Sequence, residues 1–318
     1  MTITVVGHLC LDVIHHPPQS NGQQRETRSY GGIFFTVATL ANVVEPGTTI
    51  YPVFGVGKNE FAEFMERLRA YPKVDPSGIY KFDAPTNEVH LYYRNEQQRT
   101  ECSKHIAEPV SFKRIKPYLA ADMVLINMVS GFDITLDTLD EVRMSVREQH
   151  VPLYLDVHSL SLGINDDFTR VRRPLTDWRR WLFWLHAVQM NEEEAAGLSV
   201  EPYNEEYLAK QATALNLPVL IITRGARGCT AYIDERNHLA RHDVAGVALE
   251  GPLDATGCGD VFGAAYCAQY LASRDVRRSV EFANTVAAFN AAIAGSTETD
   301  RLAKFTIRRR AVPSGVTP

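Results

Sequence analysis

Short apolar runs recur along this chain, each closed by a polar or glycine residue, with helix-like stretches between them. Residues 3–6, 124–127, 153–157, 187–190 and 219–223 are short and almost wholly apolar. That is the signature of a strand buried on both faces, not of a half-exposed one. Helical stretches at 61–70, 136–148 and 193–198 are interleaved with them. Alternating strand and helix predicts a mainly parallel sheet covered by helices on both faces, an α/β fold of three layers, α/β/α. A chain of 318 residues can bury a large core, and α/β enzymes of this length often form one unit, so a single domain over residues 1–318 is expected.

Two segments interrupt the rhythm. Residues 15–30 are polar and contain Pro17, Pro18 and Gly22; residues 87–100 alternate and are rich in tyrosine and charge. Half-exposed alternating strands predict a small β flap beside the main sheet. Surface hairpins without a role are the alternative. The tail after Phe305 is basic, then rich in Pro and Gly, and reads as a frayed end.

Charge and cysteine usage narrow the function. The formal net charge is −5, whereas a nucleic-acid binder would show a basic excess. A phosphate-bearing ligand remains open, because helix N-termini and bound Mg²⁺ manage that charge locally. No apolar run approaches the roughly 18 residues of a membrane span. The opening MTITVVGHLCLDVI lacks a basic leader and reads as a first strand, not a signal peptide. Cys10, Cys102, Cys229, Cys258 and Cys267 are odd in number and show no CxxC spacing, which suits a reducing cytoplasm and no zinc site.

The chemistry concentrates between Asp254 and Tyr266, in DATGCGDVFGAAY. Gly257, Cys258 and Gly259 form a small-residue turn that enters an Ala-rich helix. Such a turn leaves backbone N–H groups unpaired at the positive end of the helix dipole, a ready anion site. Asp260 stands at its mouth. There a carboxylate can accept a proton from a hydroxyl while the N–H groups stabilise a transferring phosphoryl group. A capped helix after a glycine turn is the plain alternative.

This stretch resembles the C-terminal signature of the ribokinase/PfkB family of carbohydrate kinases, DTTGAGDxF, with Ala255 and Cys258 as the departures. The resemblance implies a ribokinase-like fold with a β lid. It makes Asp260 the catalytic base and Gly257, Cys258 and Gly259 the anion hole. Cys258 places a thiol there, an expected target of thiol reagents. Further segments match the family in order. Asn191 and Glu194 match its Asn-x-x-Glu motif, which organises Mg²⁺ and its waters; an N-capped helix with acids in its first turn would read the same way. Thr223, Gly225 and Gly228 match its T-x-G-x-x-G nucleotide loop, where glycines let backbone approach phosphate and ribose. Arg224 and Arg227 are placed to reach a phosphate or simply to be solvated. Asn284 falls on the helix that lies near adenine. Asp12, read as the end of the first strand, matches an acid that binds sugar hydroxyls. Gly31 and Gly32 match the N-terminal Gly-Gly signature, and Thr36 stands where an asparagine is usual; the resemblance makes these three candidate contacts to the acceptor. Phe34 and Phe35 replace small residues and narrow the pocket.

The resemblance therefore implies ATP as co-substrate, Mg²⁺, room for a monovalent cation, and a small-molecule sugar or polyol as acceptor. It also allows a homodimer through the lid. EVHLYYR resembles the lid strand of ketodeoxygluconate kinases, so Arg94 is the candidate contact to the acceptor and a sugar acid is one class of acceptor. A nucleoside kinase of the same fold, and a sugar-binding regulatory protein without turnover, are the rivals. Gly55-Val56-Gly57-Lys58 lacks the spacing of a P-loop. His15-His16 is a weak metal candidate. Trp178, Trp181 and Trp184 read as the packed face of an amphipathic helix. Asp156-Val157-His158 departs from the family's Asp-Pro-Asn-like motif and has no assigned role.

Overall fold

The computed structural model describes residues 1–15, 25–93, 99–236, 238–249, 253–293 and 295–308. The chain opens with β1 (Thr2–Val6), β2 (Leu9–His15) and β3 (Glu26–Gly32), then α1 (Ile33–Val43), β4 (Thr49–Val53), β5 (Gly55–Gly57) and α2 (Phe61–Leu68). Next come β6 (Tyr80–Phe82), β7 (Asn87–Tyr93), β8 (Arg99–Lys104), α3 (Phe112–Ile115), β9 (Met123–Asn127), α4 (Leu136–Arg147) and β10 (Leu153–Asp156). They are followed by β11 (Leu162–Ile164), β12 (Arg170–Arg172), α5 (Trp178–Leu182), β13 (Ala187–Asn191), α6 (Glu192–Ala196) and α7 (Glu205–Ala214). The last elements with regular pairing are β14 (Val219–Thr223), β15 (Gly228–Glu235), β16 (His238–Ala245), α8 (Cys258–Ser273) and α9 (Val276–Asn290).

Eight strands form the central sheet in the order β16-β15-β14-β13-β10-β9-β1-β4. From β4 to β14 every pairing is parallel; β15 and β16 close the edge as an antiparallel hairpin. Side chains alternate between two cores. Ile3, Leu125, Tyr154 and Ile221 pack toward α1, α8 and α9. Val6, Ile126, Leu155 and Ile222 pack toward α4, α5 and α7. Period-two alternation between two apolar layers is what both-face burial requires, and it explains the continuous apolar runs. The strand ends that carry polar residues, Asn127, Asp156, Asn191 and Thr223, all lie at the carboxyl edge of this sheet. Ligands of open α/β sheets bind at that edge.

A second sheet, β3-β2-β7-β8, stands beside the central one, and its strands include the described parts of the two expected flap segments; 16–24 and 94–98 of those segments lie outside the described residues. One boundary differs from the sequence reading. The opening segment is two strands, not one: β1 belongs to the central sheet, whereas β2, with Asp12 in its middle, belongs to the lid. The chain leaves the sheet at Gly7, where an added Cβ would stand 2.6 Å from the Asn127 carbonyl oxygen. Only glycine allows the backbone to turn away at that distance. Trp178 and Trp181 are buried on α5 as an amphipathic helix predicts, but Trp184 lies beyond its end at φ 55°. His15 and His90 pair across β2 and β7, Nε2 to Nδ1, at 3.0 Å. Among the described residues no acid, cysteine and histidine cluster suits a metal ion, and His16 lies outside them. Arg94 and most of the basic tail also lie outside the described residues. No described helix is long and apolar enough to cross a membrane.

Candidate active site

The segment before α8 is shaped by Asp254. Its carboxylate accepts the Thr256 N–H at 2.9 Å and the Gly295 N–H at 3.0 Å, an Asx-type turn that ties the loop to the end of α9. Gly257 follows as N-cap at φ 73°, a left-handed value that favours glycine. The helix then starts at Cys258. Of the amides expected to face an anion, Cys258 N–H is already bonded to the Ala255 carbonyl at 3.2 Å. The Gly257 and Gly259 N–H groups have no partner among the described residues, so an anion bound here would be met by these two and by the helix dipole.

Asp260 sits in the first turn of α8, 5 % exposed. Asn127 donates from Nδ2 to its Oδ1 at 2.5 Å and to Thr36 Oγ1 at 3.3 Å. Burial pushes the Asp260 carboxyl above the ordinary carboxylate range, while His158 and the Asn127 bond pull it back. Gln189 braces the arrangement from β13: it donates to Gly259 O at 3.0 Å and to Asp156 Oδ2 at 3.3 Å, and accepts the Tyr154 hydroxyl at 2.5 Å. Asp156 is buried, and burial pushes its carboxyl well up.

A cavity of about 360 Å³ runs over these groups. Cys10, Asp12 and Gly32 line it from the first lid hairpin, and Val89, Leu91 and Glu101 from the second. Asn191, Glu194 and Thr223 line it from the central sheet, beside Gly257, Gly259 and Asp260. Asp12 lies flat against β3 because residue 31 is glycine; a Cβ there would stand 2.0 Å from Asp12 Oδ2. Cys10 Sγ donates to Asp12 Oδ1 at 3.4 Å. Burial, with Asp260 and Glu101 adding to it, pushes the Asp12 carboxyl up to about 7.

Several expected residues sit elsewhere. Thr36 is fully buried behind Asp260, bonded to Asn127, and does not line the cavity. Phe35 lines it, but Phe34 packs in the core against Tyr30 and Phe64. Asn284 is buried on α9 and donates to the Ala245 carbonyl at 3.0 Å. Gly225 is exposed at φ 55° with open space around it. Gly228 holds the start of β15, where a Cβ would meet the Val244 carbonyl oxygen at 2.0 Å. Arg224 and Arg227 are engaged with acids: Arg224 with Glu205 at 2.5 Å, Arg227 with Glu192. Asn191 and Glu194 form a reciprocal capping box on α6, with Asn191 N–H on Glu194 Oε2 and Glu194 N–H on Asn191 Oδ1, both at 2.8 Å.

The surroundings of Cys258 argue against the thiol expectation. Burial pushes the Cys258 thiol up to about 11, and its sulfur is held between Asp254 O and Asn290 Nδ2. A thiolate is the nucleophile, so little of it exists near neutrality. Iodoacetamide at neutral pH is expected to leave Cys258 unmodified and activity intact. Mass spectrometry that finds Cys258 rapidly alkylated as activity falls would contradict this.

Sequence reading missed Asn127 and Gln189. Both interrupt or close apolar strand runs, a signal that a buried polar side chain has a partner. Their partners, 133 and 70 residues away, are visible only in the fold.

A model of the pfkB family of carbohydrate kinases matches residues 2–301. Solved structures of the same fold include a ribokinase from Thermotoga maritima, 18 % identical, with a TM-score of 0.73 and coverage of 96 % of this chain and 98 % of that one. A nucleoside kinase from Methanocaldococcus jannaschii is 16 % identical, with a TM-score of 0.69 and coverage of 96 % and 97 %. An Arabidopsis thaliana ribokinase complexed with ribose and ATP is 18 % identical, with a TM-score of 0.69 and coverage of 96 % and 99 %. No curated protein matches the sequence.

Proposed function

This chain belongs to the pfkB family of carbohydrate kinases, and from that premise we propose that it transfers the γ-phosphoryl group of ATP to a primary hydroxyl of a sugar or small polyol. One observation carries the reading. A buried carboxylate, Asp260, and two unpartnered amides, Gly257 and Gly259, meet at the wall of one cavity. Asp260 takes the hydroxyl proton. The amides hold the oxygens of the transferring group. Asp12 orients the acceptor from the lid. Thr223, on the cavity wall, and the exposed Gly225 beyond it meet the phosphates of ATP. Catalysis is then mainly positioning and electrostatics.

The cavity is rich in acids, with Asp12, Glu101, Asp156, Glu194 and Asp260 on its walls. That favours a neutral, hydroxyl-bearing acceptor over a sugar acid. Phe35 on the wall is the feature that supports the nucleoside alternative. A screen of ATP consumption against neutral sugars and polyols, sugar acids and nucleosides tests the reading. A neutral sugar or polyol is expected to give turnover. Turnover with nucleosides alone would move the assignment to a nucleoside kinase, and none with any class would make it a binding protein.

Mg²⁺ fits the donor set at Asn191 and Glu194. A carboxylate has about four lone-pair sites, and the capping box leaves some of Glu194's free at the cavity. Mg²⁺ keeps several waters and needs few protein ligands. When bound it neutralises charge on the donor phosphates. Glu194→Gln tests this role, because glutamine keeps an acceptor for the Asn191 N–H but loses the charge and the second acceptor, which takes Asn191 Nδ2. The Mg²⁺ concentration for half-maximal rate is expected to rise about tenfold or more. An unchanged Mg²⁺ dependence would assign Glu194 to helix capping alone.

A further inference from the structure

Asp156-Val157-His158 closes β10 at the cleft, and phosphoryl transfer as described leaves His158 without a task. The residue takes φ 39°. Its Nδ1 lies 2.9 Å from Ser159 Oγ, which orients the ring; Nε2 has no hydrogen bond among the described residues. His158 lines the cavity, where acids converge on it from every side. Asp12 comes from β2, Glu101 from β8, Asp156 from β10, Glu194 from α6 and Asp260 from α8. The other cation on the wall, Arg172 of β12, is exposed and paired with Glu193 at 2.6 Å. The cleft therefore gathers several carboxylates around one imidazole that no single acid has claimed.

We propose that His158 is a positioning residue, an imidazolium set among the carboxylates of the cleft that balances their charge and keeps Asp260 ready to take the acceptor's proton. Without a cation, burial and neighbouring acids would favour the protonated form of Asp260, which cannot act as a base. Burial alone would disfavour charge on His158, but Asp260, Asp156, Glu194 and Glu101 outweigh it and lift the imidazole to about 9. The influence is mutual: after burial, His158 is the largest effect on Asp260, and it acts to lower that carboxyl.

The inference rests on Asp260 as the base, and the test separates the two. Profiles of kcat/KM against pH are measured for wild type, His158→Asn and His158→Lys. Asparagine tolerates a positive φ, so the fold is expected to survive. In His158→Asn the acid limb of the profile should move up by about one pH unit or more, because Asp260 loses the neighbouring cation that lowers its carboxyl. His158→Lys, which keeps the charge, should return the acid limb toward wild type. NMR of the imidazoles should show one histidine titrating near pH 9 that is missing from His158→Asn. An acid limb that stays in place in His158→Asn would overturn the proposal, as would a His158 signal titrating near the ordinary value of about 6.5. If Asp260→Asn is inactive while that limb stays fixed, only this inference fails. If Asp260→Asn remains active, the base assignment itself fails.

Discussion

Asp260→Asn is expected to lower kcat by about 10²–10⁴-fold while leaving the protein folded. The substitution keeps the size and shape of the side chain. The amide can turn its oxygen toward Asn127 Nδ2 and so preserve the 2.5 Å contact. What it removes is the only atom at that position able to take a proton from a hydroxyl. The same change should not cost stability. A buried carboxyl held above its ordinary range adds stability below its unfolded pKa, and loses that contribution as pH rises through the folded value. Wherever the wild-type side chain is ionised it is therefore a burden on the fold, and an uncharged amide is not. The melting temperature should stay level or rise as turnover falls. Initial rates at saturating ATP and acceptor, with a thermal melt beside them, check both halves. Near-normal turnover would remove Asp260 from the base role, and a large drop in melting temperature would reduce the rate loss to a folding defect.

Gly257→Ala is expected to be nearly as damaging, at about 10²–10³ in kcat, the usual loss when an anion-hole donor is displaced. The residue has φ 73°, where an L side chain is strained by about 1–2 kcal/mol. An added Cβ would also stand 2.5 Å from the Phe35 ring, which is buried and cannot retreat. The turn must shift, and the Gly257 and Gly259 amides lose their aim together. Gly259→Ala is the internal control. Its Cβ would meet Gln189 Nε2 at 3.6 Å, an ordinary contact on a helical residue. It should cost far less. Equal losses in the two variants would mean that bulk near the amides, not their orientation, governs the rate.

The central sheet was legible because both of its faces are buried. Strands such as β9 and β14 are apolar almost throughout, and glycine or polar residues mark their ends. The turn into α8 was legible because its chemistry is local. Asp254, Gly257 and Asp260 lie within seven residues and shape one loop. The division between β1 and β2 was not legible. Leu9 to Ile14 is as apolar as a central strand, since the lid's inner face also packs over the cleft, and the only mark of the departure is Gly7. Thr36 read as an acceptor contact because its position along α1 was visible, but its burial behind Asn127 was not. The brace formed by Asn127 and Gln189 joins strands to a helix far along the chain. No spacing rule reports such partners, because tertiary packing sets them. Arg224 and Arg227 show the same limit: the loop placed them, and the acids of α6 and α7 claimed them.

Asp12, Gly32, Leu91 and Glu101 reach the cavity from the lid sheet, whereas Thr223, Glu194, Gly257 and Asp260 reach it from the central sheet and its helices. On the proposed reading, acceptor contacts and transfer machinery are thus carried by separate pieces of backbone that meet at the cleft. Mutations can drift through one set without disturbing the other. A lineage built this way can change its diet by rewriting two hairpins while inheriting its chemistry intact. A laboratory can imitate this by grafting the lid hairpins of one such kinase onto the body of another.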